Sequence, residues 1–95
     1  AEAELFTRKA IELNPDFAEA HSNLGNILRE RGNLQEAENS YRKAIELNPD
    51  FAEANSNLGY IFREKGNIAE ALQYSKKSMI LRPWSITTLY SFNHR

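Results

Sequence analysis

Apolar residues recur along the chain at the spacing of one helix face, and glycine or proline interrupts them at regular points. Leu24, Ile27 and Leu28 fit a single helix face, and Gly32 can end that helix because glycine readily adopts φ > 0. A second apolar face follows at once and stops before Pro49. The pattern predicts helices near residues 1–13, 18–31, 34–47, 52–65 and 68–81, with a sixth helix beginning near residue 86.

The helical pattern itself is repeated. Residues 8–20 recur letter for letter at 42–54, and residues 18–51 are identical to residues 52–85 at 17 of 34 positions. Pro15, Pro49 and Pro83 are the three prolines, and they are spaced 34 residues apart. Each period therefore predicts a pair of antiparallel helices, and stacking of such pairs predicts an all-α solenoid.

Polar residues near the predicted helix starts indicate caps. Asn33 is followed three residues later by Glu36, which is the spacing of a capping box, and Asp50 with Glu53 repeats that spacing. Both pairs are therefore predicted to satisfy free backbone N–H groups at the first turn of a helix.

Two glycines fall in the middle of predicted helices, where glycine costs about 1 kcal/mol relative to alanine. A close approach of two helix backbones is a physical reason to tolerate this cost. We expect Gly25 to face Ala37 on the following helix, and Gly59 to face Ala71 in the same way.

Composition narrows the function classes. Twelve basic and thirteen acidic side chains give a net charge of -1 without a basic run, which excludes a nucleic-acid or anionic membrane partner. The absence of cysteine excludes disulfides and thiolate chemistry, and no apolar run approaches the roughly 20 residues that span a bilayer. These features predict a soluble protein, with a cytoplasmic location favoured over secretion, although nothing in the sequence fixes the compartment.

The repeated unit resembles the tetratricopeptide repeat. The residues that carry this resemblance are Leu24, Gly25, Gly32, Ala37, Tyr41, Ala44 and Pro49. The resemblance implies a right-handed superhelix that covers the whole chain: a half repeat at 1–17, full repeats at 18–51 and 52–85, and a partial helix at 86–95. The chain begins without Met inside a helical pattern, so we expect it to be part of a longer array.

In this family the polar face of each first helix lines a concave groove, so the resemblance implies a peptide-binding surface. Asn23 and Asn57 resemble groove residues in the repeats of O-linked N-acetylglucosamine transferases, and an amide can pair with any peptide backbone. The alternative is a solvated face without a ligand, because asparagine is common here throughout the family. The candidate groove residues are Glu19, Ser22, Asn23, Asn26, Arg29, Glu53, Ser56, Asn57, Tyr60 and Arg63.

Some members of the family grip a C-terminal carboxylate with cationic side chains and two asparagines. Asn26 and Asn57 have the required separation, but Ser22, Thr87 and Ser91 occupy the places of the cations. A buried carboxylate without a cationic partner is not held, so this binding mode is excluded.

Catalytic chemistry has little support in the sequence. His21 and His94 are far apart in the repeat frame and have no carboxylates arranged with them as metal ligands. No glycine-rich phosphate loop is present. The sequence therefore predicts no catalytic residue, no metal site and no cofactor.

Two function classes fit these observations. The first is a non-catalytic protein–protein interaction module that binds a peptide segment in its concave groove. The second is the substrate-selecting arm of a larger enzyme, such as a glycosyltransferase or sulfotransferase, and the sequence does not separate the two. Apolar residues near both ends, Leu5 with Phe6 and Leu89 with Phe92, predict homo-oligomers that form through exposed repeat ends.

Overall fold

The computed structural model describes residues 2–81, and no strand occurs within them. The five helices are α1 (Glu2–Leu13), α2 (Ala18–Glu30), α3 (Leu34–Leu47), α4 (Ala52–Glu64) and α5 (Ile68–Leu81). Their boundaries agree with the predicted ones to within one residue, because local signals begin and end each helix. The sixth helix predicted near residue 86 lies outside the described residues. Within residues 2–81 no helix combines the length and apolar character needed to cross a bilayer.

Glycine ends both first helices of the two repeats, as predicted. Gly32 and Gly66 have φ values of +80° and +83°, the left-handed region that other residues rarely adopt. After α2, the N–H of Gly32 donates to the carbonyl of Arg29, and the N–H of Asn33 donates to the carbonyl of Leu28. This is the Schellman arrangement, which satisfies carbonyls that the helix end would otherwise leave free.

The capping-box prediction is wrong at both helix starts. Asn33 directly precedes α3, but its side chain makes no cap hydrogen bond and instead donates to Glu36 Oε1 at 2.6 Å. Phe51 precedes α4, so Asp50 lies one residue too early to cap it. The N–H of Asp50 donates to Asn48 Oδ1 at 3.2 Å, so an asparagine after the previous helix closes this turn.

The helices stack as an α-solenoid. α2 pairs with α3 and α4 pairs with α5, while α1 packs on α2 and α3 packs on α4. α2 and α4, the first helices of the two repeats, also touch each other. The predicted fold class is therefore confirmed. Its hydrophobic core is formed by Leu24, Leu28, Ala37, Tyr41, Leu58, Ile61, Phe62 and Ala71.

The two glycines in the middle of α2 and α4 permit close packing, but against different neighbours. A Cβ at Gly59 would lie 3.2 Å from the carbonyl oxygen of Ala71, which confirms the predicted approach. A Cβ at Gly25 would instead lie 2.7 Å from Cε1 of Tyr41, so the predicted contact with Ala37 is wrong. Tyr41 follows Ala37 by one helical turn on the same face of α3, and its larger ring reaches α2.

A buried carboxylate ties α3 to the end of α4. Glu38 is only 8% exposed, and it accepts hydrogen bonds from Arg42 Nε at 2.9 Å and Lys65 Nζ at 2.7 Å. Burial acts to raise the pKa of Glu38, but the hydrogen bonds and positive charges of Lys65 and Arg42 outweigh it, so the pKa lies below its ordinary value. The ion pair therefore links the two repeats at neutral pH.

Replacing Glu38 with glutamine should lower the free energy of unfolding by about 1–2 kcal/mol at pH 7. A carboxyl whose pKa is lowered by folding stabilises the protein above its unfolded-state pKa, and that stability is lost as the pH falls through the folded-state pKa. The Glu38→Gln variant should therefore lose less stability than the wild type between about pH 5 and pH 3. Urea unfolding at several pH values measures this, with Glu46→Gln, which breaks the exposed pair with Lys43, as the control. Parallel pH profiles for wild type and Glu38→Gln would contradict the assignment.

Candidate functional site

The candidate groove residues lie on α2 and α4, the two adjacent first helices. Nine of the ten reach the surface. Glu19, Asn23, Glu53, Ser56, Tyr60 and Arg63 are exposed, whereas Asn26, Arg29 and Asn57 are half-buried. We refer to this surface of α2 and α4, formed by these nine residues, as the polar face.

Ser22 is the exception, because it is buried at 3% exposure while its repeat equivalent Ser56 is exposed. The two serines have the same place in their helices but different surroundings. α4 packs beside α2 and α3 on one side, and within residues 2–81 no helix holds the corresponding place beside α4 and α5. The prediction that Ser22 lines an open surface is therefore wrong. Thr87 and Ser91, considered with it as cation positions, lie outside the described residues.

Hydrogen bonds between side chains cross from one repeat to the next on the polar face. Asn57 Nδ2 donates to Asn26 Oδ1 at 3.2 Å, and Arg29 Nη1 donates to Asn57 Oδ1 at 3.4 Å. The hydroxyl of Tyr41 also donates to Asn26 Oδ1. Burial raises the pKa of Tyr41 to about 12, although the charge of Arg29 opposes the shift, so this hydroxyl keeps its proton at neutral pH.

The two asparagines that were predicted to form a ladder differ in their bonding. Asn57 already uses its carbonyl oxygen and one N–H within the protein. Asn23 is exposed, and its side chain has no hydrogen-bond partner among residues 2–81. The amide of Asn23 therefore has its full bonding capacity available to a ligand, whereas that of Asn57 has half.

An aromatic ring on the polar face lies between two cations. The guanidinium carbons of Arg29 and Arg63 each lie 5.1 Å from the centroid of the Tyr60 ring. This distance is within the range of cation–π attraction, which holds long arginine side chains against the ring. Tyr60 is still 38% exposed, so the ring and the two cations together face solvent.

An open pocket of about 290 Å³ adjoins this cluster. Its wall on α5 is apolar, because the side chains of Ile68 and Leu72 line it there. The opposite wall is polar, since Asn57, Tyr60 and Arg63 contribute their side chains. The remaining lining residues are Arg29, Ser56, Gly59, Ala71 and Ser75.

The chemistry available on the polar face is recognition rather than catalysis. Within residues 2–81, no three His, Cys, Asp or Glu side chains are grouped to hold a metal ion. His21 is engaged elsewhere, since its Nε2 lies 2.8 Å from the carbonyl oxygen of Pro15. The amides, guanidiniums and tyrosine of the polar face can instead donate and accept hydrogen bonds with a bound chain.

Sequence reasoning missed two parts of this site. Tyr41 was assigned to packing on the period of its helix, and that period could not show that its hydroxyl reaches Asn26. Ile68 and Leu72 were not expected to line a pocket. An available signal was the change from Glu38 to Leu72 at equivalent positions of the two repeats, which replaces a charge by an apolar side chain.

The helix pairs, their 34-residue period and their packing define a helical repeat protein, and three family models agree on which one. A TPR repeat model matches residues 25–66, and two further tetratricopeptide repeat models match residues 6–39 and 52–83. The matches extend without a gap from residue 6 to residue 83. The chain belongs to the tetratricopeptide repeat family.

Solved structures of MamA share this fold. One MamA crystal structure has 30% sequence identity and a TM-score of 0.78 over 85% of this chain. A second has 30% identity and a TM-score of 0.74 over 85%, and a third has 29% identity and a TM-score of 0.75 over 83%. The chain spans about half the length of these proteins, since the alignments cover 47%, 44% and 45% of them.

Proposed function

We propose that this chain is a non-catalytic interaction module that binds an extended peptide segment across the polar face of α2 and α4. Membership of the tetratricopeptide repeat family supports a role in protein interaction. The observation that carries the peptide-binding proposal is the pair of amides from successive repeats. Asn23 has no partner among residues 2–81 and Asn57 keeps part of its capacity, so both can bond to a peptide backbone.

The pocket beside the amides supports the same proposal. A peptide held through its backbone amides directs successive side chains to opposite sides. The apolar wall formed by Ile68 and Leu72 can take an aliphatic or aromatic side chain, and its burial would contribute about 25 cal/mol per Å². The backbone contacts would supply general affinity, and the pocket would supply selectivity.

Replacing Asn23 with alanine should weaken peptide binding about 3- to 10-fold, the loss expected for one or two hydrogen bonds. The probe is a fluorescein-labelled peptide selected on this protein from a phage library of random 12-residue sequences, and fluorescence anisotropy measures its Kd. The melting temperature should not change, because Asn23 is exposed and makes no side-chain bond within residues 2–81.

The matched control is Asn39→Ala on α3, an exposed asparagine outside the polar face. It should bind the selected peptide as the wild type does. Asn57→Ala should weaken binding too, and should also lower stability by about 1 kcal/mol because it breaks the link to Asn26. A library that yields no binder, or a binder indifferent to Asn23 and Asn57, would contradict the proposal.

We also propose that two copies associate through the apolar sides of the outer helices. Large apolar residues are exposed on α1 and on α5, and a solenoid helix buries such a side only against a neighbour. The exposed residues are Leu5, Phe6 and Leu13 on α1, and Ile68, Leu72, Met79 and Ile80 on α5.

Sedimentation equilibrium at increasing concentration tests the association. The wild type should move from monomer toward dimer in the micromolar range, and the double variant Leu5→Lys/Phe6→Lys should remain monomeric to higher concentration. The pair Glu2→Lys/Lys9→Glu, which reverses one charge of each sign on exposed positions of α1, is the control for altered charge. A wild type that stays monomeric at several hundred micromolar would rule the association out.

A further inference from the structure

Arg29 and Arg63 are the cations of the polar face, and neither has a carboxylate partner within residues 2–81. Elsewhere in the same range, Arg8 and Arg31 pair with Glu4, as Lys65 does with Glu38. Residues 82–95 contain no aspartate or glutamate in the sequence. The chain therefore offers two guanidiniums on one surface without an acidic side chain that neutralises them.

The two guanidiniums are held close together. Each lies 5.1 Å from the Tyr60 centroid, so their central carbons are at most about 10 Å apart. Like charges at such separations repel in the absence of an anion. A carboxylate placed between them would remove this repulsion and gain charge-assisted hydrogen bonds to both.

Acidic residues on the polar face lie at its other end. Glu53 precedes Arg63 by ten residues of α4, which is about 15 Å along the helix axis. Glu64 directly follows Arg63, but successive side chains on a helix diverge by about 100° and the two form no ion pair. The end that carries the arginines is therefore locally positive and lies next to the pocket.

We propose that Arg29 and Arg63 bind the side-chain carboxylate of an aspartate or glutamate in the partner peptide, with the Tyr60 ring positioning both guanidiniums. Arg29 uses one N–H on Asn57, which leaves four donors, and a guanidinium fork matches a carboxylate in two-bond geometry. The neighbouring amides suit a peptide backbone that continues on either side of the acidic residue. The inference rests on the proposed peptide-binding function and differs from the excluded terminal-carboxylate grip, which needs cations at other positions.

A lone carboxylate provides a direct test. The probe is N-acetylglutamate amide at millimolar concentration, and N-acetylglutamine amide is the neutral match. Side-chain NMR signals of the full 95-residue chain report binding. The Tyr60 ring protons and the Arg29 and Arg63 Nε–H signals should shift with the glutamate derivative only. The shifts should shrink in high salt, because these groups are partly exposed.

Variants distinguish a specific site from general attraction. The double variant Arg29→Gln/Arg63→Gln should weaken binding of the glutamate derivative at least about tenfold. The double variant Lys76→Gln/Lys77→Gln removes the same charge from exposed positions of α5 outside the pocket lining, and it should leave binding unchanged. Equal shifts with the neutral derivative, or equal losses in the two double variants, would overturn the inference.

The phage selection separates this inference from the proposed function. Selected peptides should contain an aspartate or glutamate whose replacement by the matching amide weakens binding to wild type about tenfold, but has little effect on the Arg29→Gln/Arg63→Gln variant. Peptides that depend on Asn23 and Asn57 yet carry no required acidic residue would uphold the proposed function and overturn the carboxylate site. Specific shifts with the glutamate derivative and no selected peptide would do the opposite.

Discussion

Replacing Tyr41 with alanine should lower the free energy of unfolding by about 3–5 kcal/mol, the range measured for buried aromatic residues. The Tyr41 ring is fully buried in the core, packs against Gly25, and its hydroxyl bonds to Asn26. Alanine would leave a cavity between α2 and α3 and would remove the donor that holds Asn26 in place. Urea unfolding followed by far-ultraviolet circular dichroism measures the change.

Tyr41→Phe is the matched variant, because it keeps the ring and removes only the hydroxyl. It should cost about 1 kcal/mol, the contribution of one hydrogen bond. It should also loosen Asn26 and so weaken the bond from Asn57, which side-chain amide signals in an NMR spectrum would report. Similar losses for Tyr41→Phe and Tyr41→Ala would show that the hydroxyl, rather than the packed ring, provides most of the stability.

Replacing Gly25 with alanine should destabilise the protein by about 1–2 kcal/mol, although alanine is the better helix former. The added Cβ would lie 2.7–2.9 Å from three atoms of the Tyr41 ring, closer than such contacts allow. Overpacking of this kind costs about 1–3 kcal/mol, and the gain in helix propensity of about 1 kcal/mol offsets only part of it. Thermal and urea unfolding of the purified variant measure the net effect.

The sign of this effect should depend on the ring. In a Tyr41→Leu background the six-membered ring is absent, so Gly25→Ala should become neutral or stabilising. Gly59→Ala should cost less than Gly25→Ala, because its nearest neighbour is Ser75 Oγ at 3.1 Å. Destabilisation by Gly25→Ala that persists without the tyrosine ring would show that another contact causes it.

Sequence alone determined the helices and the fold class. The signals involved are local, since Gly32 and the apolar spacing of Leu24 and Leu28 act within one or two turns of the same chain segment. The repetition of this pattern after 34 residues then required the helix pairs to stack. The predictions that failed concerned side-chain partners: the Asp50 cap and the contact of Gly25 with Ala37.

The candidate site was predicted only in outline. The choice of a polar face on α2 and α4 followed from the residues left over once the apolar face was assigned to packing. The bond from Arg29 to Asn57 and the approach of Arg29 to Tyr60 join different repeats. Such contacts depend on how far and at what angle one helix pair is displaced from the next, and no periodicity within a single helix contains that information.

The tertiary structure also decided which of two equivalent residues is buried. Ser22 and Ser56 have matching local sequences, yet the first is buried and the second is exposed. Glu38 is enclosed at the junction of α3 and α4, whereas its equivalent Leu72 is 66% exposed. The physical reason is that burial in a solenoid comes from the neighbouring repeat: the 34-residue sequence determines how each unit folds, and its place in the stack determines which of its surfaces are covered.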